Sequence, residues 1–498
     1  MSGCASEPLS HAAPHAGPSS VAAVPAERVT ISVDNTISHQ RIEGFGATTL
    51  SYAECGIDRV GTMRNNVLDA VYNQVKLTMG DINAGPYEGI TLRPGSCSRE
   101  DYVSVNDNSD PFTFEWSHFF WVRSDSDKTA LVDIARPMGF DNFVLSGGIN
   151  TRFQDKWLND IRRKNYRLYL QEAAENAAAI LVHWRDTYGI VPRWHHPFDE
   201  PLSGTNLVWG GTTDEIVDLV KAIGARLRRE GFSEIKLVVP SEESEEKSLD
   251  TAEAILSDRK AREYVGAISY HAYPYGSVYA SVARILATSG VGHPDPARLQ
   301  VRKQIRALSR KYGLQTWMTE ICCGGASTPF DDLRARAIHI HDEMVYTDAS
   351  AYWGMNNITF RQDEEGSIVI FDSPSQTFRI TPMGYAIGHY ARWIRRGVVR
   401  IETVSRDPLV QVTGFRDDSQ SRMVLVVINN ATTPKTLEVN LQGLKLTGGL
   451  GGEQSTAAAF WQPLTAFAPT SQSSFTLTVP ALSVTSIAGG ISTFDLAY

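Results

Sequence analysis

Between residues 41 and 396 the chain alternates, eight times over, between a short apolar run and a longer stretch with helical spacing of its apolar residues. The short runs are "IEGFGA", "VKLTMGDIN", "FDNFVLSGG", "IVPRWHHPF", "IKLVVP", "VGAISYH", "LQTWMTE" and "ASAYWGM". They have the length and β-branched or aromatic content of buried strands. Helices are predicted near 61–74, 127–137, 163–187, 213–230, 250–263, 297–312, 331–346 and 382–395. A strand followed by a crossover helix calls for a parallel neighbour. Eight such units over some 350 residues predict a (β/α)8 barrel with generous loops. A doubly wound open sheet is the competing architecture, but no glycine-rich phosphate loop follows the first strand.

After Arg396 the helical spacing stops. "LVQVTGFR", "RMVLVVINN", "KTLEVNLQ" and "SSFTLTVPALSVTSIAGG" are short strands divided by Gly, Asn, Asp and Ser turns. This pattern predicts a β-sandwich over 397–498, beside a barrel over 39–396. The strand at 28–38 precedes the barrel without a partner there. It is expected to join the sandwich and tie the two ends of the chain together.

Residues 1–27 read differently. "MSGCAS" is similar to the end of a bacterial lipoprotein signal, with small residues before a lipid-acceptor Cys4. The following "EPLSHAAPHAGPSSVAAVPAE" has the Ala, Pro, Ser and Gly content of a flexible tether. Export is expected, to the periplasm, the outer membrane or the medium, with membrane attachment only through a lipidated Cys4. Of the other cysteines, Cys55 and Cys97 could bridge in an oxidising compartment but are expected to stay unbridged, and Cys322 and Cys323 are expected to be small buried side chains. A net charge of −9 argues against a nucleic-acid partner and favours a neutral substrate. No cofactor or metal is implied, and a monomer is expected.

A barrel of this kind works at the C-terminal ends of its strands. The strand assignment therefore singles out Asp199 and Glu200 after the fourth strand, His271 and Tyr273 after the sixth, and Glu320 ending the seventh. Trp353 on the eighth, Asp81 on the second and Trp194 on the fourth complete the candidates for sugar contact. Glu242 and Glu243, after the fifth strand, are read as solvated loop acids, as are Glu245 and Glu246. Glu320 differs because "QTWMTEICCGG" embeds it among apolar and small residues, where an idle charge would be costly. Two embedded acids facing one pocket are the equipment of glycosidic bond cleavage. A metal site on His195 and His196 is disfavoured, since adjacent strand residues point to opposite faces.

These residues resemble glycoside hydrolase family 30 and its clan A relatives. "IEGFGA" is similar to the family's first-strand signature, "FDEP" to its Asn-Glu-Pro, "WMTE" to its nucleophile strand and "HAYPYG" to its His-x-Tyr. "RITPMGYAIGHYARWIRRGVVRIE" resembles the last helix and its turn into the side domain. The resemblance implies a retaining enzyme acting on β-linked sugars, with Glu200 as acid/base and Glu320 as nucleophile. Asp199 departs from the pattern: ionised Asp only accepts hydrogen bonds, where Asn also donates. A binding protein of the same fold, catalytically impaired at Asp199, is the alternative expectation.

Overall fold

The computed structural model describes residues 26–48, 56–83, 87–88, 106–121, 129–140, 142–147, 156–202, 211–273, 296–321, 328–360, 362 and 366–493. The five cysteines fall outside them, as does the tether. Eight strands form one parallel sheet in the order second, third, fourth, fifth, sixth, seventh, eighth and first. In chain order they are Gly44–Ala47, Gly80–Asn83, Phe143–Ser146, Trp194–His196, Lys236–Glu242, Val265–His271, Gln315–Glu320 and Ala349–Gly354. The N–H groups of Thr78 and Met79 donate to the Phe45 carbonyl (2.9 and 3.2 Å), which closes the barrel between its first and second strands. Only glycine allows that approach. A Cβ on Gly46 would lie 2.3 Å from the Met79 carbonyl oxygen.

The interior is packed by size alternation. Trp194, Trp317 and Trp353 fill it together with Met79, Val144 and Val238, while Ala267 and Ala351 leave room for the indoles. Trp194 and Trp317 meet edge-to-face at 4.9 Å, and Trp317 and Trp353 lie 5.8 Å apart.

Outside this layer, helices Tyr166–Tyr188, Thr213–Arg229, Glu245–Ser257, Pro296–Tyr312, Pro329–Asp342 and Pro382–Ala391 cover the strands. Their starts follow local capping chemistry: Asn165, Thr212, Ser244, Thr328 and Thr381 each accept a backbone N–H from the first turn. The expected single helix over 163–187 is two, Lys156–Lys164 and Tyr166–Tyr188, because Asn165 leaves helical geometry to cap the second. The stretch expected as a helix over 250–263 begins earlier, at Glu245, and breaks where Asp258 starts a new cap.

The expected sandwich is one continuous nine-stranded sheet that folds over on itself. Phe467 and Phe475 belong to the two strands at opposite ends of its hydrogen-bonding order, yet their rings lie 5.9 Å apart. The leading strand, Glu27–Arg41, sits within this sheet. It pairs antiparallel with Val399–Ser405 and parallel with Lys435–Gln442.

Strand Arg422–Asn429 shows how the sheet joins the barrel. Met423, Leu425 and Val427 face the sheet's own core, while Val424, Val426 and Ile428 pack into the barrel's helical shell. Two buried histidines stitch this contact: His389 reaches Ser486 and Ser455 (2.9 and 2.7 Å), and His341 reaches Thr413 (2.6 Å). Burial holds both imidazoles far below their usual pKa, to about 3, so they are neutral.

Candidate active site

Glu320 is the last residue of the seventh strand, and Glu200 lies four residues beyond the fourth. The sixth strand between them ends at His271. Its imidazole Nδ1 stands 3.0 Å from Glu200 Oε1 and 3.9 Å from Glu320 Oε1, and its Nε2 stands 3.8 Å from Asp199 Oδ1. Tyr273 donates its phenolic hydrogen to Glu320 Oε1 at 3.0 Å. Four of the residues expected at the cleft, together with His271, thus converge on one point. Glu200 and His271 are buried there, while Asp199 keeps 47% of its side chain exposed.

The charges of this cluster are interdependent. Burial works against a charged His271, but the carboxylates of Glu320, Glu200 and Asp199 outweigh it and lift the imidazole to about 9. Glu320 is pushed well above the usual carboxylate range, first by burial. His271 opposes that shift, and Asp199 and Glu200 add to it. The His271 imidazole, placed between the two carboxyls, supplies positive charge to both. Asp199, His271 and Glu320 also present metal-type ligand atoms within 4.8 Å of one another. A proton on His271 competes with any cation there, because metal binding needs the ring's lone pair.

The backbone that presents Glu200 is unusual. Glu200 has φ of 49° and Ser241, on the adjacent strand end, 57°. Non-glycine residues seldom adopt this left-handed region, and such outliers gather at functional sites. The Glu200 N–H donates to the Ser241 carbonyl at 2.9 Å. The Ser241 hydroxyl lies 2.6 Å from His196 Nε2, donates to Ser269 Oγ (2.6 Å) and lies 3.2 Å from Thr319 Oγ1. This polar floor under the carboxyls had no signal in the sequence, where Ser241 is one of several serines in a turn-like run.

Two expected contacts, Trp194 and Trp353, have a different placement. Trp194 is part of the barrel's interior layer, and its indole N–H donates to Glu43 Oε1 at 3.2 Å. It faces the buried carboxyl that also pairs with Arg396, not the cluster at the strand ends. Position 194 begins its strand, so its side chain packs inside the barrel instead of lining the mouth. Trp353 is also fully buried, beside Trp317 and 6.1 Å from the His196 ring. Asp81 lies on the second strand, opposite Val144, and its side chain is outside the described set. His195 Nδ1 donates to the Leu145 carbonyl in the barrel wall (2.8 Å) while His196 faces inward toward Ser241, so the pair shares no ligand position.

The acids after the fifth strand correct the reading of solvated loop residues. Glu242 and Glu245 are fully buried, Glu243 is nearly so, and Glu246 is partly covered. The cover comes from helix Glu245–Ser257 and from Arg298 and Arg302, some 50 residues further on. Glu243 pairs with Lys247 one helical turn away.

No protein-family model matches the chain. Among curated proteins it is similar to the glucuronoxylanase XynC of Bacillus subtilis, 29% identical over 128 residues, which is 24% of this chain and 27% of that protein. That match thus spans about a quarter of the relative's length. It is also similar to a putative glucosylceramidase 3 of Caenorhabditis elegans, 23% identical over 408 residues, covering 75% of this chain and 71% of the other. Among solved structures, the catalytic domain of the GH30 xylanase C from Talaromyces cellulolyticus superposes with a TM-score of 0.66 at 16% identity, over 93% of this chain and all of that one. The structural likeness establishes a shared fold, barrel and side domain together.

Proposed function

We propose, from the resemblance to glycoside hydrolase family 30 that sequence and fold both carry, that this chain is a retaining glycosidase of β-linked sugars. The observation that carries the reading is the joint contact of His271 with two carboxyls from different strands. Since Glu200 Oε1 and Glu320 Oε1 lie 3.0 and 3.9 Å from one nitrogen, they are at most about 7 Å apart. That limit favours the short separation of retaining enzymes, roughly 5–5.5 Å, over the roughly 6.5–9.5 Å of inverting ones.

In the first step the ionised Glu320 attacks the anomeric carbon, the glycosidic C–O bond breaks, and Glu200 gives its proton to the leaving oxygen. In the second, Glu200 takes a proton from water as that water attacks the same carbon, and Glu320 leaves as carboxylate. The Tyr273 hydroxyl and the His271 cation favour the ionised Glu320 needed for attack. The names of the similar proteins direct attention to xylan, glucuronoxylan and β-glucosides as substrates. Export, attachment through a lipidated Cys4 and a monomeric state belong to the same reading. No helix among the described residues is long and apolar enough to cross a membrane.

The test is a polysaccharide panel with chromatography of the products and NMR of their first-formed anomer. Retained configuration is expected, and an inverted first product would end the double-displacement reading. Glu200→Ala should then lower kcat/KM about 10²–10⁴-fold on oligosaccharides. It should spare 2,4-dinitrophenyl glycosides, whose leaving group needs no proton. Equal losses on both would reduce Glu200 to a structural role.

A further inference from the structure

Glu242 is a carboxyl with no obvious reason to be where it is. It is fully buried, and among the described residues no cation forms an ion pair with it. Burying such a group costs free energy unless its hydrogen bonds return something. Its donors are neutral. The Leu202 backbone N–H reaches Oε2 at 3.1 Å, and the Thr251 hydroxyl reaches Oε1 at 3.4 Å. Its own backbone is fastened to Ser248, whose hydroxyl donates to the Glu242 carbonyl at 3.4 Å and lies 3.1 Å from the Glu242 N.

The significance of Leu202 is its place in the chain, two residues beyond Glu200. Ser241 holds the Glu200 N–H through its carbonyl, and Glu242 holds the Leu202 N–H through its side chain. Consecutive residues of the fifth strand thereby grip the turn Glu200–Pro201–Leu202 on both sides of its proline, which has no N–H to offer. That turn carries Glu200 in a left-handed backbone conformation, which persists only if its surroundings impose it.

We propose that Glu242 is a positioning residue for Glu200: by accepting the Leu202 N–H it fixes the turn that aims the acid/base carboxyl at the cleft. The proposal rests on the role of Glu200 given above. It predicts that Glu242 acts on the steps that need Glu200 and not on the attack by Glu320. A loss of aim of about 1 Å can cost on the order of 100-fold in rate.

Glu242→Leu removes the acceptor at similar volume, and Glu242→Gln keeps an oxygen for Leu202 while its amide can donate to Thr251. The full-length variants are compared on xylobiose-type oligosaccharides and on 2,4-dinitrophenyl β-xylobioside, or the matching pair for the sugar that the panel returns. Hydrogen exchange of the Leu202 amide is followed in parallel. With Glu242→Leu, kcat/KM should fall about 10- to 100-fold on the oligosaccharide and stay within about twofold on the dinitrophenyl glycoside, with faster Leu202 exchange. Glu242→Gln should restore both to within about threefold, since its amide oxygen still accepts the Leu202 N–H. Should the leucine variant not fold, Glu242→Asp gives the same comparison, since it keeps the carboxyl and withdraws the acceptor by one methylene. Equal losses on both substrates, or Leu202 exchange unchanged in the acceptor-less variants, overturns the proposal. Exchange needs no turnover: an inactive wild type with the expected exchange pattern refutes the glycosidase reading and leaves the clamp standing.

Discussion

Glu320 and Glu245 are both glutamates largely withdrawn from water by the same barrel, with 15% and 1% of their side chains exposed, and they have opposite electrostatic fates. Glu245 sits against two guanidinium groups, Arg298 and Arg302, each at 3.0 Å. Burial pushes its pKa up, but the arginines overwhelm that and hold it well below the usual range. Arg302 goes on to Glu343 at 2.5 Å, and Glu343 accepts from the Tyr270 hydroxyl at 2.6 Å. Glu320 has a phenol and one histidine shared with two other acids, so burial prevails and its pKa rises. Burial alone therefore does not decide the state of an interior acid; the charge of its neighbours does. A saturated cluster pins a charge and serves the fold. An undersupplied one leaves the acid's ionisation to depend on its few neighbours, as is common at functional sites.

The most severe way to break this contrast is to remove each carboxyl in turn. Glu320→Ala should lose at least about 10⁴-fold in turnover on every substrate while the protein stays folded. Added azide should recover part of the activity on activated glycosides, with inverted product. Hydrolysis at the wild-type rate would remove Glu320 from the reaction. Glu245→Gln should do the reverse, removing the carboxylate that buried Arg298 and Arg302 share. Its expected cost is about 3–5 kcal/mol in chemical denaturation, with kcat/KM of the folded protein changed only a few-fold. A stable but inactive Glu245→Gln protein would contradict the division of labour.

A smaller effect sharpens the comparison through pH. The depressed pKa of Glu245 means that its stabilisation is complete above the ordinary carboxylate range and fades as pH falls through the folded value. The stability gap between wild type and Glu245→Gln should therefore narrow in acid. Glu320 has a raised pKa, so in the window above the ordinary carboxylate range the folded state binds more protons than the unfolded one. Stability is lost across that window as pH rises. Glu320→Gln should thus gain on the wild type with rising pH and show no gain in acid. Denaturation curves across pH for both variants supply the two slopes, and slopes of equal sign would defeat the argument.

The smallest expected effect belongs to Asp199, half exposed and last among the groups that raise His271. Asp199→Asn should lower the His271 pKa from about 9, measurable by NMR of the imidazole. It should also ease ionisation of Glu320, which Asp199 opposes, and move the acidic limb of the pH–rate profile to lower pH. An unmoved imidazole titration would mean that Asp199 is not felt at the site.

What could be read from the sequence follows from what is local. Strand and helix order and the positions of Glu200 and Glu320 after their strands rest on periodicity and on nearby turn residues, while the leading strand's place in the side domain follows from its having no partner in the barrel. Trp194 is expected at the cleft as a residue of the fourth strand, but it begins that strand, two residues before its end, and packs in the indole layer with Trp317.

The acids of "PSEESEE" mark the boundary most clearly. Their composition reads as a solvated turn, and nothing within the segment distinguishes Glu242, which meets the Leu202 N–H, from Glu245, which meets two arginines. The sequence by itself determined that strands and helices would alternate into a barrel, because hydrophobic spacing acts over neighbouring residues. Only the tertiary structure decided which carboxyls are buried, paired or left poised. The groups that set a carboxyl's proton affinity act through distances of a few ångströms in space, and here they come from Leu202, His271, Arg298 and Arg302, on separate elements of the chain.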